Sequence, residues 1–589
     1  MKTNLLHLFF VALLSQGAFA QTTPIIEVRI NGTATTKDDY IGSSYVPCSI
    51  RLMNGSSFSS NIAVSLRNIS NWTGGLLQFS SSGGSSTGSS SLNLTVNRDN
   101  SFTNFFARSS RSSTLDKDAV IEVRDNRSGS NPTVLARKSL MTRSSSPLPS
   151  STPIVEVRIN SESTLDDYVT WAPTRCAIRL VNFGNFSSSV PVSLRTMSGS
   201  VGRVNFSGNS LSYNNTATAS SLNLTLPNSG SWVNFYIAGR FGSPSRRDKD
   251  AVIEVLSNSV VIAREGLMVR IRKNANRLTS EERGRFLNAL VTVNNTFSQY
   301  GVFVEIHSSA GRPEAHGGPG FLPWHRAYIL DLERRLQTVD PGVTLPYWKF
   351  DESAPNVFST AFMGSRPTTT SDAFADFSSS NPLRAWNMAG STGIRRTTGF
   401  SNSGTPSSVS SSTLNDAATL ALGTSYTPFV LMETNPHGRV HTASGRSGDW
   451  IPNLPTAVRD PLFFLLHCNV DRQWARWQWI NGRFNPTGST TYSPQGTFSS
   501  SGTVHIGHYL RDTMWPWNDV TGSYTGSGTA PLDERPTTAP GGQFPQALSY
   551  ESAPVTRPQP FHVIDYRNNR ATSSTNSGIG FSYDDVPFN

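Results

Sequence analysis

The sequence predicts a multidomain protein in which two N-terminal antiparallel β-sandwich repeats, immunoglobulin-like in size, precede a mainly α-helical domain. Three observations support this. An N-terminal segment of the 589-residue chain is repeated at an offset near 130 residues. Residue patterns typical of helices begin near residue 273, and six of the ten histidines then form two triplets. We place the repeats at residues 21–146 and 151–268 and the helical domain at residues 269–589.

The N-terminus has the pattern of an export signal. Lys2 precedes the apolar run Leu5–Leu14, and Ala18 and Ala20 provide small residues for cleavage. Residues 1–20 are therefore predicted to be a removed signal peptide, which makes the mature protein secreted, either extracellular or periplasmic. Every later apolar segment is too short to cross a bilayer, so no membrane partner is expected.

Composition narrows the class of protein. Only 15% of residues are charged, which is typical of secreted β-rich proteins. The net charge of +10 is scattered and forms no basic run interleaved with aromatic residues, so nucleic acid is not an expected partner. Three cysteines cannot form a disulfide framework, and Cys48 and Cys176 occupy matching places in the repeats, where they are expected to be buried thiols.

The two repeats match along their whole length. Residues Pro24–Asn31 return as Pro153–Asn160, and Asp116–Val123 return as Asp248–Val255. Short runs of Val, Ile, Leu and Thr between Ser, Gly and Asn turns predict antiparallel sandwiches, and Ser144–Ser150 is the expected linker. The repeats contain no histidine. We expect them to act as spacers, to bind surface or matrix material, or to cover an active site.

The helical domain opens with a capping box. Thr279 and Glu282 have the spacing of this motif, and Phe286 and Leu290 follow at helical spacing. The stretch Ser365–Ser412 is rich in Ser, Thr and Gly, and it is expected to be a surface excursion between the two histidine triplets.

The second triplet combines a helical pair with a distant histidine. His437 and His441 are four residues apart, so a helix places them on one face where they can bind a single ion. His467 lies in an apolar segment, and Asp471 follows it by one helical turn, where a carboxylate can orient an imidazole or an arginine.

The first triplet, His307, His316 and His325, has nine-residue steps that do not share one helical face. A helix, a loop and a second helix are needed to bring these three side chains together. Imidazole is neutral near pH 7 and binds metal without deprotonation. Because neither triplet contains a cysteine or a carboxylate in ligand spacing, copper is the metal that the two all-imidazole sets favour.

Four segments of the helical domain closely resemble one family. These are Phe321–Arg326, Leu345–Trp348, Asn435–His441 and Asp460–Arg472, and they resemble the tyrosinase and catechol oxidase family of type 3 copper proteins. The resemblance runs from about Val269 to the C-terminus. It implies a helical bundle that holds two copper ions, uses dioxygen as co-substrate and oxidises small phenols to o-quinones. The implied ligands are His307, His316 and His325 for one copper and His437, His441 and His467 for the other.

Two positions bear on the kind of phenol that is oxidised. In relatives that hydroxylate monophenols, a Glu four residues before the first histidine of the second copper and an Asn directly after that histidine are thought to hold a water that deprotonates the phenol. Glu433 matches the first position, but Gly438 replaces the Asn beside His437. We therefore expect oxidation of o-diphenols rather than hydroxylation of monophenols.

Other residues have secondary roles in this interpretation. Phe321 is expected either to contact the substrate or simply to belong to the core. Arg326 and Asp471 are expected to pair across the bundle in a structural role. No cysteine lies near His316, so the Cys–His thioether of some relatives cannot form there.

Two alternatives remain open from the sequence. Haemocyanins share the same copper ligands, so a reversible dioxygen carrier is one of them. The other is an adhesive or matrix protein with a vestigial copper site, against which the complete set of six histidines argues. His505 and His508 also have ligand-like spacing, but they have no third partner, and we expect a surface or structural role for both.

Overall fold

The structure is a computed structural model, and parts of the chain are described. The predicted signal peptide and linker lie outside these parts. The described residues are 24, 26–30, 40–52, 58–68, 77–83, 88–99, 101–110, 119–128, 134–142, 152–159, 168–197, 202–209, 220–246, 250–296, 298–308, 315–340, 342–367, 374–397, 412–497, 507–515, 517, 559–567 and 580–588.

Two β-sheets make up the first repeat. One sheet is antiparallel and has the strand order β1-β3-β7-β5, and the other has the order β2-β9-β8-β4-β6 with a parallel β2–β9 pair. The strands are β1 (Ile26–Ile30), β2 (Tyr40–Ile41), β3 (Val46–Leu52), β4 (Ile62–Asn68), β5 (Leu77–Ser80), β6 (Ser91–Val96), β7 (Thr103–Ser109), β8 (Ala119–Asp125) and β9 (Val134–Thr142).

The second repeat has the same topology. Its sheets have the orders β10-β12-β16-β14 and β11-β18-β17-β13-β15, which correspond strand by strand to those of the first repeat. The strands are β10 (Val155–Ile159), β11 (Tyr168–Val169), β12 (Thr174–Leu180), β13 (Val190–Thr196), β14 (Val204–Ser207), β15 (Ser221–Leu226), β16 (Val233–Gly239), β17 (Ala251–Ser257) and β18 (Val260–Val269).

Alternating burial explains why these runs form sheets. Along β3, Cys48, Ile50 and Leu52 point inward while their neighbours are partly exposed, as expected for strands with one face on a core. Side chains from both sheets of each repeat share one apolar core, which is consistent with a β-sandwich. Cys48 and Cys176 are buried, in agreement with the sequence.

The described residues of the C-terminal part are mainly helical and include a short hairpin of β19 (Asn387–Met388) and β20 (Ser391–Thr392). Among the described residues, no helix combines the length and apolar character needed to cross a membrane. The helices are α1 (Ser280–Val291), α2 (Tyr300–Ser308), α3 (Phe321–Val339), α4 (Asp416–Leu420), α5 (Tyr426–Phe429), α6 (Arg439–Ala443), α7 (Leu462–Asn481) and α8 (Pro560–Val563).

Local signals set the ends of several helices. The capping box predicted for α1 is present, because the Thr279 hydroxyl accepts a hydrogen bond from the Glu282 backbone and the Glu282 carboxylate accepts one from the Thr279 backbone. Helix α7 ends at Gly482, which has a left-handed φ of 62°. Helices α3 and α7 pack against each other and are buried on nearly all sides, so they form the centre of the domain.

The stretch Ser365–Ser412 is not merely a surface excursion. In its described part, Trp386 and Arg396 are fully buried, and the Arg396 guanidinium donates to the Asp460 carboxylate at 2.7 Å. The sequence did not reveal the burial of Trp386 and Arg396, because each is a single residue within a run rich in Ser, Thr and Gly. The described part of the stretch therefore packs onto the segment that precedes α7.

The second repeat is joined to the C-terminal end of the chain. Trp171 is fully buried, its indole N–H donates to the carbonyl of Tyr583 at 2.7 Å, and its backbone N–H donates to the Ser582 hydroxyl at 3.4 Å. Phe588 belongs to the apolar core of the second repeat. The residues that close the helical domain are thus also part of the packing of a β-sandwich.

The first repeat lacks the residues that make this junction. Trp171 occupies the position of Ser43, and Gly239 occupies the position of Ser109, as the strand registers and hydrogen bonds show. A Cβ atom at Gly239 would lie 2.7 Å from the Trp171 ring and 2.4 Å from Val269, so only glycine leaves room for the indole. Among the described residues, Trp171 and Gly239 thus distinguish the second repeat from the first at this junction.

We expect Trp171→Phe to lower the free energy of unfolding by about 2 kcal/mol, because the buried carbonyl of Tyr583 loses its donor and the smaller ring leaves a gap. Chemical denaturation followed by tryptophan fluorescence tests this. The matched control is Trp232→Phe, since Trp232 is only half-buried and stacks on Arg158 and Arg179 at the outer face of the same repeat. Equal losses for both variants would contradict the expectation.

Candidate metal centre

Three segments contribute the first histidine triad. His307 lies in the last turn of α2, His316 in the loop 315–320, and His325 in the second turn of α3. The potential ligand nitrogens lie within 4.8 Å of one another. The ring centroid of His316 is 5.1 Å from that of His307 and 5.1 Å from that of His325. A helix, a loop and a second helix therefore close around one point.

The second triad is the more compact of the two. His441 lies in α6, His437 lies in the turn before it, and His467 lies in the second turn of α7. The Nε2 atom of His467 is 3.2 Å from the Nε2 atoms of both His437 and His441. The spacing of four residues thus brings His437 and His441 to the same point, as the sequence suggests.

Backbone carbonyls orient three of the six imidazoles. In each case Nδ1 lies 2.8–2.9 Å from a carbonyl oxygen, so Nδ1 carries the proton and Nε2 keeps its lone pair for a metal. The pairs are His325 with Phe321, His437 with Glu433, and His441 with Ile451. The sequence could not reveal Ile451, because any residue type can offer a carbonyl.

The two triads fit metal ions. Metal–imidazole bonds of about 2 Å in tetrahedral directions place ligand nitrogens about 3.3 Å apart, close to the 3.2 Å seen between the Nε2 atoms of the second triad. In the described part of the structure, the buried Nε2 of His325 and both ring nitrogens of His316 have no hydrogen-bond partner. Buried lone pairs without partners are costly in an empty site and are satisfied by a bound metal.

Aromatic side chains join the two triads into one site. The His325 and His467 rings stack at 4.2 Å, so the triads are direct neighbours. Phe321 lies 4.8 Å from both His325 and His437, and Phe463 stacks on His467 at 4.2 Å while also contacting the first triad. Phe321 is fully buried, so the structure places it between the triads as part of the wall.

Burial keeps the imidazoles neutral. Loss of solvent lowers the pKa of all six histidines, and the neighbouring imidazoles lower it further for five of them. The pKa falls to about 3 for His307 and to about 4 for His441. Burial also raises the pKa of the Cys468 thiol, next to His467, to about 12, which keeps it protonated and unsuited as a thiolate ligand.

A buried charge network supports the helices that carry two of the histidines. The Arg326 guanidinium donates to the Asp471 carboxylate at 2.5 Å across α3 and α7. The other oxygen of Asp471 accepts from the Tyr583 hydroxyl at 2.5 Å and from Arg272 at 3.2 Å. Arg272 also donates to Glu333 at 2.8 Å. Arg326 and Asp471 therefore contact each other as part of a larger group of buried ionic side chains.

Glu433 and Gly438 flank His437, as their positions in the sequence require. The Glu433 carboxylate is half-buried and accepts a hydrogen bond of 2.7 Å from the backbone N–H of Gly317, next to His316. Burial raises the pKa of Glu433 to about 7, and the bond from Gly317 opposes this. Gly438 is half-buried and has helical dihedral angles, so its backbone does not require glycine.

Comparison with known proteins supports one family. The common central domain of tyrosinase matches residues 297–480. The tyrosinase of Streptomyces antibioticus is 33% identical over 276 residues, which cover 43% of this chain and 94% of the relative. The tyrosinase of Streptomyces glaucescens is 30% identical over 273 residues, covering 43% of this chain and 93% of the relative. A copper-bound variant of Aspergillus oryzae tyrosinase complexed with L-tyrosine is 16% identical, covering 38% of this chain and 83% of that chain with a TM-score of 0.26.

The two neighbouring triads of neutral imidazoles, the tyrosinase domain match and the two Streptomyces relatives define a copper oxidoreductase whose cofactor is a pair of copper ions. The chain belongs to the tyrosinase family. Members of this family act on small phenolic substrates.

The metal-free protein is expected to lose stability below pH 6.5. In the unfolded chain, each histidine binds a proton near its usual pKa of about 6.5, whereas in the folded protein it stays neutral to lower pH. Below pH 6.5, each such histidine therefore lowers the free energy of unfolding by roughly 1.4 kcal/mol for every pH unit of acidification. Asp331 and Glu433, whose pKa values burial raises to about 7, act in the opposite direction. Six histidines outweigh them, so we expect a net loss of a few kcal/mol between pH 6 and pH 5.

Urea denaturation of the metal-free protein at pH 7.5, 6.5, 5.5 and 4.5 measures this loss. The copper-loaded protein is the control, because imidazoles that bind copper take up protons only after the metal leaves. Equal stability of the metal-free protein at pH 7.5 and pH 5 would contradict the expectation.

Proposed function

We propose that this protein is a secreted copper phenol oxidase that uses dioxygen to oxidise o-diphenols to o-quinones. His307, His316 and His325 would hold one copper, and His437, His441 and His467 the other. The single observation that supports this most is the direct stacking of His325 on His467 at 4.2 Å, which puts the two triads side by side. The relatives lend no support to the dioxygen-carrier or matrix-protein alternatives.

The copper pair supplies two-electron redox chemistry with dioxygen when it is bound. Two o-diphenols release four electrons and four protons, which convert one dioxygen into two water molecules. The protein's own residues keep the site apolar and hold the six imidazoles neutral, because protonated imidazoles could not bind metal. Phe321 and Phe463 line the space between the two triads with apolar rings, which disfavours water there.

Glu433 is proposed to hold, near the second triad, the water that acts as base. Its pKa of about 7 suits proton transfer near neutral pH. Its carboxylate, however, already accepts a hydrogen bond from Gly317, and Gly438 has no side chain to help hold a water molecule. A poorly held water would deprotonate a monophenol slowly, so o-diphenols are the preferred substrates in this proposal.

The N-terminal region is assigned less specific roles. We propose that residues 1–20 direct export and that residues 21–146 and 151–268 are immunoglobulin-like repeats. The first repeat would be a spacer or a binder of surface or matrix material. The second would serve chiefly to hold the C-terminal end of the helical domain, since Trp171 bonds to Tyr583.

Copper content and oxygen uptake test the proposed activity. The purified protein should bind two copper ions per chain and consume oxygen with catechol faster than with tyrosine. A His467→Ala variant should lose copper and both activities. Two bound coppers without turnover of either phenol would contradict the proposal and favour a carrier.

Gly438→Asn is expected to raise the ratio of tyrosine hydroxylation to catechol oxidation by about tenfold, because a second polar group near Glu433 can hold the water that acts as base. The structure accommodates this change, since a Cβ at Gly438 would have its nearest contact at 3.4 Å, with the Glu433 carbonyl. Initial oxygen-uptake rates with both substrates measure the ratio. Gly438→Ala is the matched control and should leave the ratio unchanged, and an unchanged ratio in Gly438→Asn would refute the expectation.

A further inference from the structure

His316 depends on its loop for its position. His325, His437 and His441 are each oriented by a carbonyl, whereas neither ring nitrogen of His307 or His316 has a hydrogen-bond partner in the described part of the chain, and of these two only His316 lies in a loop. A covalent tie to cysteine is also absent, since Cys468, the cysteine of this domain, instead points to the carbonyl of Leu345. The loop 315–320 must therefore be positioned by other contacts.

Tyr426 holds one residue of this loop. It lies in α5 and is fully buried, and its hydroxyl donates to the carbonyl of Pro319 at 2.5 Å. Loss of solvent raises the pKa of Tyr426 well above its usual value, so the hydroxyl keeps its proton and remains a donor. Pro319 is thus tied to the segment that leads to Glu433 and His437.

Glu433 holds a second loop residue through the 2.7 Å bond from Gly317. The same residue accepts the Nδ1 proton of His437 with its backbone carbonyl. One residue therefore links the loop of the first triad to a histidine of the second. Gly317 has a φ of 73°, a conformation that glycine adopts without strain.

His508 packs on Gly318, the loop residue between Gly317 and Pro319. Its ring packs so closely on Gly318 that a Cβ there would lie 2.3 Å from the ring carbon Cε1. Tyr492 fixes the backbone of His508, since its hydroxyl donates to the His508 carbonyl at 2.6 Å, and the Tyr492 ring lies 4.7 Å from that of Tyr426. The contacts on Gly318 and Pro319 are therefore supported by one pair of packed tyrosines.

Displacement of the loop 315–320 would also shift α3, which carries His325. The carbonyl of Gly318 accepts a hydrogen bond of 3.1 Å from the backbone of Phe321, the first residue of α3. His325 follows in the second turn of the same helix. The three successive residues 317–319 therefore connect two ligands of the first triad.

We propose that Glu433, His508 and Tyr426 form a clamp on residues 317–319 that positions His316 and thereby sets how firmly the first copper is retained. This rests on the proposed function in one respect, the assignment of His316 as a copper ligand. His508 and Tyr426 are positioning residues and need not touch the substrate. The clamp takes the place of a covalent tie at this loop.

Two variants remove separate parts of the clamp. Tyr426→Phe removes the hydroxyl but keeps the ring, and His508→Ala removes the ring over Gly318. In Tyr426→Phe, one of the two coppers should dissociate about five- to tenfold faster into a chelator, as the loss of one hydrogen bond predicts. We expect a similar factor for His508→Ala, because the loop loses the packing of the ring on Gly318. In the metal-free protein, hydrogen exchange at residues 315–320 should accelerate by a similar factor. Tyr347→Phe is the matched control, since it loses a partly buried hydrogen bond to Asp584 at 2.6 Å and should change neither readout.

A double variant tests the contact between His508 and Gly318 by changing Gly318 as well. Gly318→Ala should release the same copper quickly, because the added methyl group collides with the His508 ring. Combining it with His508→Ala should slow release to the rate of His508→Ala alone, since the ring is then gone. A double variant that releases copper faster than Gly318→Ala alone would count against the clamp.

Wild-type rates of copper release and of hydrogen exchange in both Tyr426→Phe and His508→Ala would overturn the proposal. Faster exchange with unchanged copper release would overturn its link to copper retention. A His316→Ala variant that still binds two coppers would instead overturn the ligand assignment under the proposed function. The exchange measurement on metal-free protein would still decide whether the clamp holds the loop.

Discussion

The ion pair between Arg326 and Asp471 joins the two helices around which the helical domain is built. Both side chains are buried, and each lies close in sequence to a histidine, Arg326 next to His325 and Asp471 one turn after His467. Removal of one partner from such a pair usually costs about 3–5 kcal/mol, because the other charge is left without compensation. The relative position of α3 and α7, and hence the stacking of His325 on His467, depends on this contact.

The same pair connects the site to the end of the chain and to the second repeat. Asp471 accepts from Tyr583, and the carbonyl of Tyr583 accepts from Trp171. Two hydrogen bonds, one on each side of Tyr583, thus connect the second β-sandwich to the buried ion pair of Arg326 and Asp471. A deletion that removes this repeat would remove packing partners of the helical domain, whereas the first repeat has serine at both positions that form the junction.

Burial has opposing consequences at the metal centre. It favours neutral imidazoles, which are ready to bind metal, and it leaves lone pairs without partners when metal is absent. Metal binding and folding are therefore coupled, as in other buried metal sites. Carbonyls orient His325, His437 and His441, while His316 relies on a loop held from three sides.

The sequence alone predicts the repeated β-strands, the capping box of α1, the two histidine triads and the family, because these depend on periodicity, spacing and short motifs. It missed the burial of Trp386 and Arg396, the junction at Trp171, the carbonyl of Ile451 and the packing of His508 on Gly318. Each of these joins residues far apart in the chain or uses a backbone group that every residue possesses, so no local pattern marks it. Which distant segments meet can be seen only in the folded chain, since burial and hydrogen bonding arise when the chain folds.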